Sequence, residues 1–309
     1  YFKTEDELRL FTNQFYNNLV PSAVDIYSES SDLIVKSDLM LEMSGQRIIP
    51  DEGNGWNFTA LRDINFYLQY SHNCTEVNAR NRYDGVARFF RAYFYFEKVK
   101  RYGDIPWYDK ALDSDDPELY KARDSREFVM QKMLEDLDFA IANLPKTKNA
   151  YVLTRWTALA LKSRVCLFEG TFRKYHGLED CEKYLNACVS ASETFMNESG
   201  YTLYKSGSTP YRDLFASINL QADEVIFGRD YEASLSVLHN VQNYENSTTM
   251  GRPGMNKKIV NSYLMADGSR FTDKAGYETM TFDQECQNRD PRLAQTIRTP
   301  GYTRIGSTK

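Results

Sequence analysis

The segment DEGNGWNFT places an aromatic ring close to side-chain amides. Trp56 follows Asn54 by two positions and directly precedes Asn57. An exposed indole can stack on the apolar C–H face of a sugar ring, and amides can hydrogen-bond to the hydroxyl groups of that ring. The alternative is that Trp56 packs into the core, because tryptophan is highly buried on average. Trp56, Asn54 and Asn57 are therefore candidate sugar-binding residues.

A second segment, HNVQNYENSTTMGRPGMN at 239–256, has a similar composition. Tyr244, Asn246 and Arg252 offer an aromatic face, an amide and a guanidinium. These groups can contact a sugar ring and hydrogen-bond to its hydroxyls. A solvated loop explains the composition equally well, because Asn, Ser and Gly are common in turns. Tyr244, Asn246 and Arg252 are candidates for the same ligand.

Known catalytic motifs are absent from the sequence. It contains no GxSxG, HExxH, phosphate-loop or dinucleotide-binding pattern. The acidic run DSDDPE at 113–118 offers oxygen ligands for calcium, but it lacks the spacing and the closing Glu of an EF-hand loop, so a solvated loop is favoured. The three histidines lack metal-binding spacing. We expect no enzyme and no cofactor, with calcium as the one alternative.

The charge balance of the chain is mildly acidic, with 43 Asp and Glu against 38 Lys and Arg. The basic residues are spread along the chain rather than gathered in a stripe, which argues against a nucleic-acid partner. No run approaches the roughly 18 apolar residues that a membrane-spanning helix needs. The chain starts at Tyr1 without a charged and apolar leader, so we expect that a signal peptide or lipid anchor has been trimmed.

One helix is expected to be central to the fold. From Tyr83 to Arg101, apolar and aromatic residues cover nearly the whole circumference, so other helices must pack on several sides of it. Gly103 is the preferred residue to end such a helix. Gly85 near its start weakens the helix unless another element packs closely against it.

Later helices are predicted to form a hairpin. Thr154 can cap a helix that continues to a turn marked by Gly170 and Gly177, and a further helix ends near Gly200. Small residues at facing positions allow the two helices to approach closely, which is typical of a tetratricopeptide-like hairpin. The central helix and a helix over 128–144 form a looser version of the same unit.

Several motifs together resemble the SusD/RagB family of Bacteroidetes. A helix rich in arginine and aromatic residues leads into the turn YGDIP within Arg88–Pro106. It is followed by DLDFAIANLP at Asp136–Pro145 and ALALKSRV at Ala158–Val165. Two later segments agree, IVNSYLMADG at Ile259–Gly268 and NRDPRL at Asn288–Leu293. The motifs occur in the family's order and span nearly the whole chain.

The resemblance implies a mainly α, SusD-like fold, in which tetratricopeptide-like helical hairpins pack against an irregular loop-rich lobe. On this basis, residues 1–309 are expected to form a single SusD-like domain that lacks its C-terminal part. The helical-hairpin core is expected at about 60–200. Loop-rich segments on the ligand side are expected at about 22–59 and 201–309.

The resemblance also implies a function. Members are surface lipoproteins of the outer membrane that bind oligosaccharides or polysaccharides without cleaving them and deliver them to a SusC-like TonB-dependent transporter. The lipid anchor would precede this chain. Members commonly bind sugar near the regions that contain Trp56 and Tyr244. Three alternatives stay open: peptide cargo in the same family, a helical-repeat scaffold, and a glycoside hydrolase.

Overall fold

The computed structural model describes residues 1–21, 33–35, 41–50, 53, 55–239 and 254–302. Helices dominate this part of the chain, which confirms the mainly α prediction. Their bounds are α1 Glu5–Leu19, α2 Leu41–Ser44, α3 Thr59–Tyr70, α4 Val77–Tyr102, α5 Arg126–Asn143, α6 Arg155–His176, α7 Cys181–Glu198, α8 Pro210–Ala216, α9 Lys257–Ser262, α10 Phe282–Glu285 and α11 Pro291–Thr296. Strands β1 (Ile34–Val35) and β2 (Gly254–Met255) pair antiparallel, with Ile34 opposite Met255.

The chain divides into two compact units, and each is assembled from several segments. Unit 1 comprises Tyr1–Val20, Glu52–Thr202 and Ala222–Asp230. Unit 2 comprises Pro21–Asp51, Leu203–Gln221 and Tyr231–Lys309. The arrangement of residues 1–309 as a single SusD-like domain stays a prediction.

Helix α4 is the centre of unit 1. It begins at Val77, six positions before the predicted start at Tyr83, and it ends at Gly103, which has a left-handed φ of 71°. Helices α1, α3 and α5 all pack against it. A Cβ atom on Gly85 would lie 3.4 Å from the side chain of Leu144. The element that packs against Gly85 is therefore the C-terminal end of α5, where Leu144 lies at an ordinary contact distance.

Helices α6 and α7 form the most closely packed hairpin of unit 1. Thr154 caps α6 as predicted, in a reciprocal capping box with Thr157. Gly177 ends α6 in the left-handed conformation. The prediction that Gly170 also marks the turn is wrong, because this residue lies inside α6. Its role is close packing: a Cβ atom there would lie 2.7 Å from the side chain of Leu185 on α7.

Replacing Gly170 with alanine is expected to lower the free energy of unfolding by about 1–3 kcal/mol, because the added methyl overpacks the contact with Leu185. Helix propensity alone would give the opposite sign, since alanine favours a helix by about 1 kcal/mol over glycine. Urea unfolding of the variant measures the sign. A second substitution, Leu185→Ala, should restore part of the loss.

The matched control is Gly85→Ala, where the nearest atom lies at an ordinary 3.4 Å. This variant is expected to be neutral or stabilising. A Gly170→Ala variant as stable as Gly85→Ala would contradict the packing role.

Buried charges also connect the helices of unit 1. Glu169 on α6 is fully buried and accepts hydrogen bonds from Arg126 at 2.6–3.1 Å and from Arg173 at 2.8 Å. Arg173 also pairs with Glu127, which accepts a hydrogen bond from the Tyr184 hydroxyl at 3.1 Å. Each buried charge is thus paired, which offsets the cost of removing it from water. The network ties α5, α6 and α7 together.

Arg289, the first arginine of the NRDPRL motif, organises the best-defined part of unit 2. It is buried, and it donates hydrogen bonds of 2.8 Å to the carbonyl oxygens of Val260, Tyr263 and Glu285. Its guanidinium lies 3.9 Å from the ring centroid of the buried Phe271. Burial lowers the pKa of Arg289. One side chain therefore connects the end of α9, the end of α10 and a buried aromatic ring.

The helices in the described ranges do not meet the requirements of a membrane span. None of them is both long enough and apolar enough to cross a membrane.

Candidate functional site

A cavity of about 560 Å³ lies in unit 1. One side is formed by residues 56–65, at the start of α3, and the other by residues 106–123, in the segment between α4 and α5. Its volume is within the range of about 300–1,000 Å³ that is typical of small-molecule sites. Apolar side chains form much of its wall, namely Leu61, Pro106, Leu112 and Leu119.

Aromatic rings surround Trp56 at the rim of the cavity. Its side chain is 38% exposed. The indole packs against Tyr102 and Phe58 through edge contacts, with ring centroids 4.9 and 5.4 Å apart. Phe58 packs in the same way against Tyr108, which also lines the cavity. Trp56 is therefore neither a core residue nor a free side chain, and its neighbours hold the ring in place.

The backbone before Trp56 is fixed against the end of α4. Gly55 has a φ of 90°, a conformation that favours glycine, and its carbonyl oxygen accepts a hydrogen bond from Lys98. Burial lowers the pKa of Lys98, and the nearby Arg101 lowers it further. The backbone nitrogen of Trp56 donates to the carbonyl oxygen of Gly53 at 2.8 Å. These contacts fix the backbone that positions Trp56 at the rim of the cavity.

A chain of buried polar groups shapes the inner wall. Asn65 is buried, and its Nδ2 donates to the carbonyl oxygens of Tyr108 at 2.8 Å and Lys110 at 3.3 Å. Its Oδ1 accepts a hydrogen bond from Arg91 at 3.3 Å. Arg91 in turn makes two hydrogen bonds of 2.7 Å to Asp136 on α5. Through Arg91 on α4, the wall of the cavity is thus connected to α5.

Behind this wall lies a stacked aromatic pair. The rings of Tyr95 and Trp107 are 4.3 Å apart, and Trp107 is 5% exposed. The hydroxyl of Tyr95 accepts a hydrogen bond from the backbone nitrogen of Tyr108 at 2.6 Å. Trp107 is therefore a core residue.

Basic side chains also line the cavity: Arg62, Lys110, Lys121 and Arg123. The guanidinium of Arg123 lies 4.9 Å from the centroid of the Trp56 ring. Among the described residues that line the cavity, none is Asp or Glu. The arrangement can hold a flat, partly apolar ligand that carries hydrogen-bond acceptors or negative charge.

The six residues that the sequence predicts to bind a glycan fall into three groups. Trp56 lies at the rim of the cavity. Asn57 is exposed at the start of α3, where its Oδ1 accepts a hydrogen bond from the backbone nitrogen of Thr59 at 2.8 Å. The side-chain oxygen of Asn57 therefore supports the start of α3. The remaining four lie outside the described residues: Asn54, Tyr244, Asn246 and Arg252. The proposed glycan contacts of all six stay predictions.

Sequence reasoning missed several residues of the cavity. Phe58 directly follows the predicted segment, so its aromatic type next to Trp56 was an available signal. Arg62 lies in the first turn of α3 and belongs to no known ligand-binding motif. Tyr108 and Arg123 are more than fifty positions from Trp56, and only the packing of the chain after α4 against α3 brings them to the same cavity.

The acidic run at 113–118 has a local structural role. Asp116 caps a short 3₁₀ turn by accepting a hydrogen bond from the backbone nitrogen of Glu118 at 2.9 Å. Both carboxylates also lie near Lys110, at 3.5 and 3.4 Å. Within the ranges that the structure describes, no three His, Cys, Asp or Glu side chains are grouped as metal ligands. The calcium alternative stays an untested expectation.

Two family models match separate parts of the sequence. The model described as "Starch-binding associating with outer membrane" matches residues 43–155. The model described as "SusD family" matches residues 191–308. In addition, a SusD-like protein of Formosa agariphila is 29% identical over 87 residues, which make up 28% of this chain and 17% of that protein.

Solved structures share the fold. A SusD-like carbohydrate-binding protein from Bacteroides fragilis superposes with a TM-score of 0.76 at 17% identity, over 99% of this chain and 61% of that one. Another SusD-like protein from Bacteroides fragilis gives a TM-score of 0.73 at 21% identity, over 95% of this chain and 60% of that one. The chain therefore spans about three fifths of the length of these structures. Because the two family models together match most of the sequence, and because the fold is shared over nearly its whole length, the chain belongs to the SusD/RagB family.

Proposed function

We propose that this chain is part of a non-enzymatic glycan-binding lipoprotein at the surface of the outer membrane. It captures oligosaccharides and delivers them to a SusC-like TonB-dependent transporter. Two findings support this proposal: the family model that matches 43–155 is described as starch-binding and outer-membrane-associating, and a solved protein with the same fold is described as carbohydrate-binding. The proposal includes an N-terminal lipid anchor and a contact with the transporter. The helical hairpins are the candidate surface for the transporter contact.

The cavity beside Trp56 is the observation that carries the proposal. Sugar rings have apolar C–H faces that pack on aromatic rings, and hydroxyls that need polar partners. Trp56, Phe58 and Tyr108 supply the aromatic surface, while nearby guanidinium and ammonium groups supply hydrogen-bond donors. A volume of about 560 Å³ is large enough for a short oligosaccharide segment.

Binding without hydrolysis is part of the proposal. Glycoside hydrolases generally use two carboxyl groups about 5–10 Å apart on either side of the scissile bond. In the part of the chain that the structure describes, no Asp or Glu lines the cavity. This lining supports capture of an intact glycan rather than its cleavage.

Affinity electrophoresis in gels that contain neutral or acidic polysaccharides tests the function. Retardation by at least one polysaccharide, with no reducing sugar released on prolonged incubation, is the expected result. Release of reducing sugar would indicate a hydrolase. A folded protein retarded by no polysaccharide would refute glycan binding and favour peptide cargo.

Trp56→Ala is expected to weaken binding of the retarding glycan by about tenfold or more, because the variant loses the ring that stacks on the sugar. Titration calorimetry with an oligosaccharide of that glycan measures the change. Trp56→Phe should keep part of the affinity, since it retains an aromatic face.

The matched control is Tyr175→Ala. This side chain is 81% exposed on α6 and does not line the cavity. Melting curves for all variants show whether the fold is intact. Unchanged affinity in a folded Trp56→Ala variant would remove Trp56 from the site.

A further inference from the structure

The charge of the cavity differs from that of the whole chain. Acidic residues outnumber basic ones in the sequence, 43 to 38. The cavity has the opposite balance, with four basic residues and, among the described residues that line it, no acidic one. The wall is therefore enriched in positive charge beyond what composition provides.

Two of the four basic side chains are already paired. Lys110 lies within 3.5 Å of both Asp116 and Glu118. Lys121 lies 2.9 Å from Asp124 and donates to the carbonyl oxygen of Trp107 at 2.7 Å. These lysines stabilise the wall, and their charge is largely balanced within the protein.

The two arginines are different. Within the described residues, the Arg62 side chain makes one long hydrogen bond, of 3.5 Å, to the carbonyl oxygen of Leu112. Arg123 lies over the Trp56 ring. In the described ranges, neither guanidinium forms an ion pair with a carboxylate. Both are exposed at the cavity, so each keeps hydrogen-bond donors for a ligand.

A guanidinium fork binds oxyanions better than it binds neutral hydroxyls. Its parallel N–H groups match the oxygens of a carboxylate or a sulfate ester, and charge-assisted hydrogen bonds are about twice as strong as neutral ones. Arg123 lies over the Trp56 ring. A sugar whose anionic substituent is bound by Arg123 would therefore also place its ring close to the aromatic side chains at the rim of the cavity. The same few side chains can therefore contact the sugar face and its charged group.

We propose that the glycan is acidic: its sugar rings carry carboxylates or sulfate esters, which Arg62 and Arg123 bind while the aromatic rim contacts the ring. This inference rests on the proposed function and specifies its substrate class. Carboxylate and sulfate ester share the chemistry that the arginines recognise, and paired probes can separate them.

The test uses matched polysaccharides in affinity gels. Polygalacturonate is paired with its methyl-esterified form, which lacks most of the negative charge, and dextran sulfate is paired with dextran. Retardation by an acidic member, at least about tenfold stronger than by its neutral counterpart and weakened by added salt, is the expected result. The pair that gives the larger difference identifies carboxylate or sulfate as the bound group.

Variants connect this preference to the cavity. Arg62→Gln and Arg123→Gln are each expected to weaken binding of the acidic glycan by about tenfold, since each removes a charge-assisted contact. Arg164→Gln loses the same charge from an exposed position on α6 outside the cavity, and it should bind as the native chain does.

The outcomes separate this inference from the proposed function. Equal retardation by the acidic and neutral members of a pair would overturn the acidic preference but leave glycan binding intact. Retardation by neutral polysaccharides alone would have the same meaning. Binding by no polysaccharide would overturn both proposals. An equal loss of affinity in Arg164→Gln would show a non-specific charge effect and overturn the assignment to this cavity.

Discussion

Replacing Asp136 with alanine is expected to lower the free energy of unfolding by about 3–5 kcal/mol. Asp136 is 2% exposed, and its two oxygens each accept a hydrogen bond of 2.7 Å from Arg91. Removing one partner of a buried pair leaves the other charge without compensation in a medium that solvates it poorly. Urea unfolding followed by circular dichroism measures the loss.

Asp138 provides a control of the same residue type on the same helix. Its carboxylate pairs with Lys162, but the side chain is 59% exposed. Asp138→Ala is therefore expected to change stability by less than about 1 kcal/mol. If the two variants were equally stable, the buried pair would not contribute as the structure implies.

A double variant tests the physical cause. Combining Asp136→Leu with Arg91→Met replaces the buried pair by apolar groups. Arg88, which lies 3.7 Å from Asp136, also loses its carboxylate partner, but its side chain is 35% exposed and can be solvated by water. The loss should then be smaller than in Asp136→Ala, although Asn65 loses one hydrogen bond. A double variant less stable than Asp136→Ala would indicate that packing, rather than an unpaired charge, causes the single-variant loss.

Replacing Arg289 with leucine is expected to destabilise unit 2 by about 3 kcal/mol or more. The three carbonyl oxygens that accept 2.8 Å hydrogen bonds from this side chain would lose a charged donor. The bond to Glu285 is buried and the other two are part-buried, and the carbonyl oxygen of Val260 also accepts a hydrogen bond from the backbone nitrogen of Tyr263. A hydrogen bond to a charged group contributes about 1.5–3 kcal/mol, and a buried acceptor left unsatisfied costs about 1–3 kcal/mol. Hydrogen exchange of peptides that span residues 257–296 measures the local loss of protection.

Arg292, the second arginine of the same motif, is the control. Its side chain is 60% exposed, and Asp290 is its partner in the described structure. Arg292→Leu should leave exchange in 257–296 nearly unchanged, because exposed pairs contribute at most about 1 kcal/mol. Similar exchange in the two variants would contradict a special role for Arg289.

The sequence predicted the helical part of the fold well, for identifiable reasons. The central helix is apolar nearly all round, and Gly103 ends it where expected. Thr154 caps the next hairpin as predicted. Gly170 was misplaced because glycine is a common turn residue. Its inward position becomes visible only when Leu185 of the neighbouring helix is placed against it.

The candidate site was predicted only in part. Trp56 could be identified because an aromatic residue among amides is a local signal. Arg123 could not, because an arginine near an acidic run is typical of a solvated loop. Its position over Trp56 results from tertiary packing between segments distant in sequence. The Arg91–Asp136 pair was likewise invisible, although both residues lie within the motifs that resemble the family.

The discontinuous assembly of unit 1 affects how this part of the chain can fold. Ala222–Asp230 returns to a core built largely from earlier segments: the backbone nitrogen of Gly228 donates to Ala150, and Arg229 donates to the carbonyl oxygen of Val20. The contact between Arg229 and Val20 closes a loop of about two hundred residues. Closing such a loop is slow, because distant parts of the chain must meet before the contact forms. A growing chain therefore cannot complete this core until residue 230 has been synthesised. A fragment that ends at Thr202 lacks the segment whose half-buried Ile226 and Phe227 pack against this core.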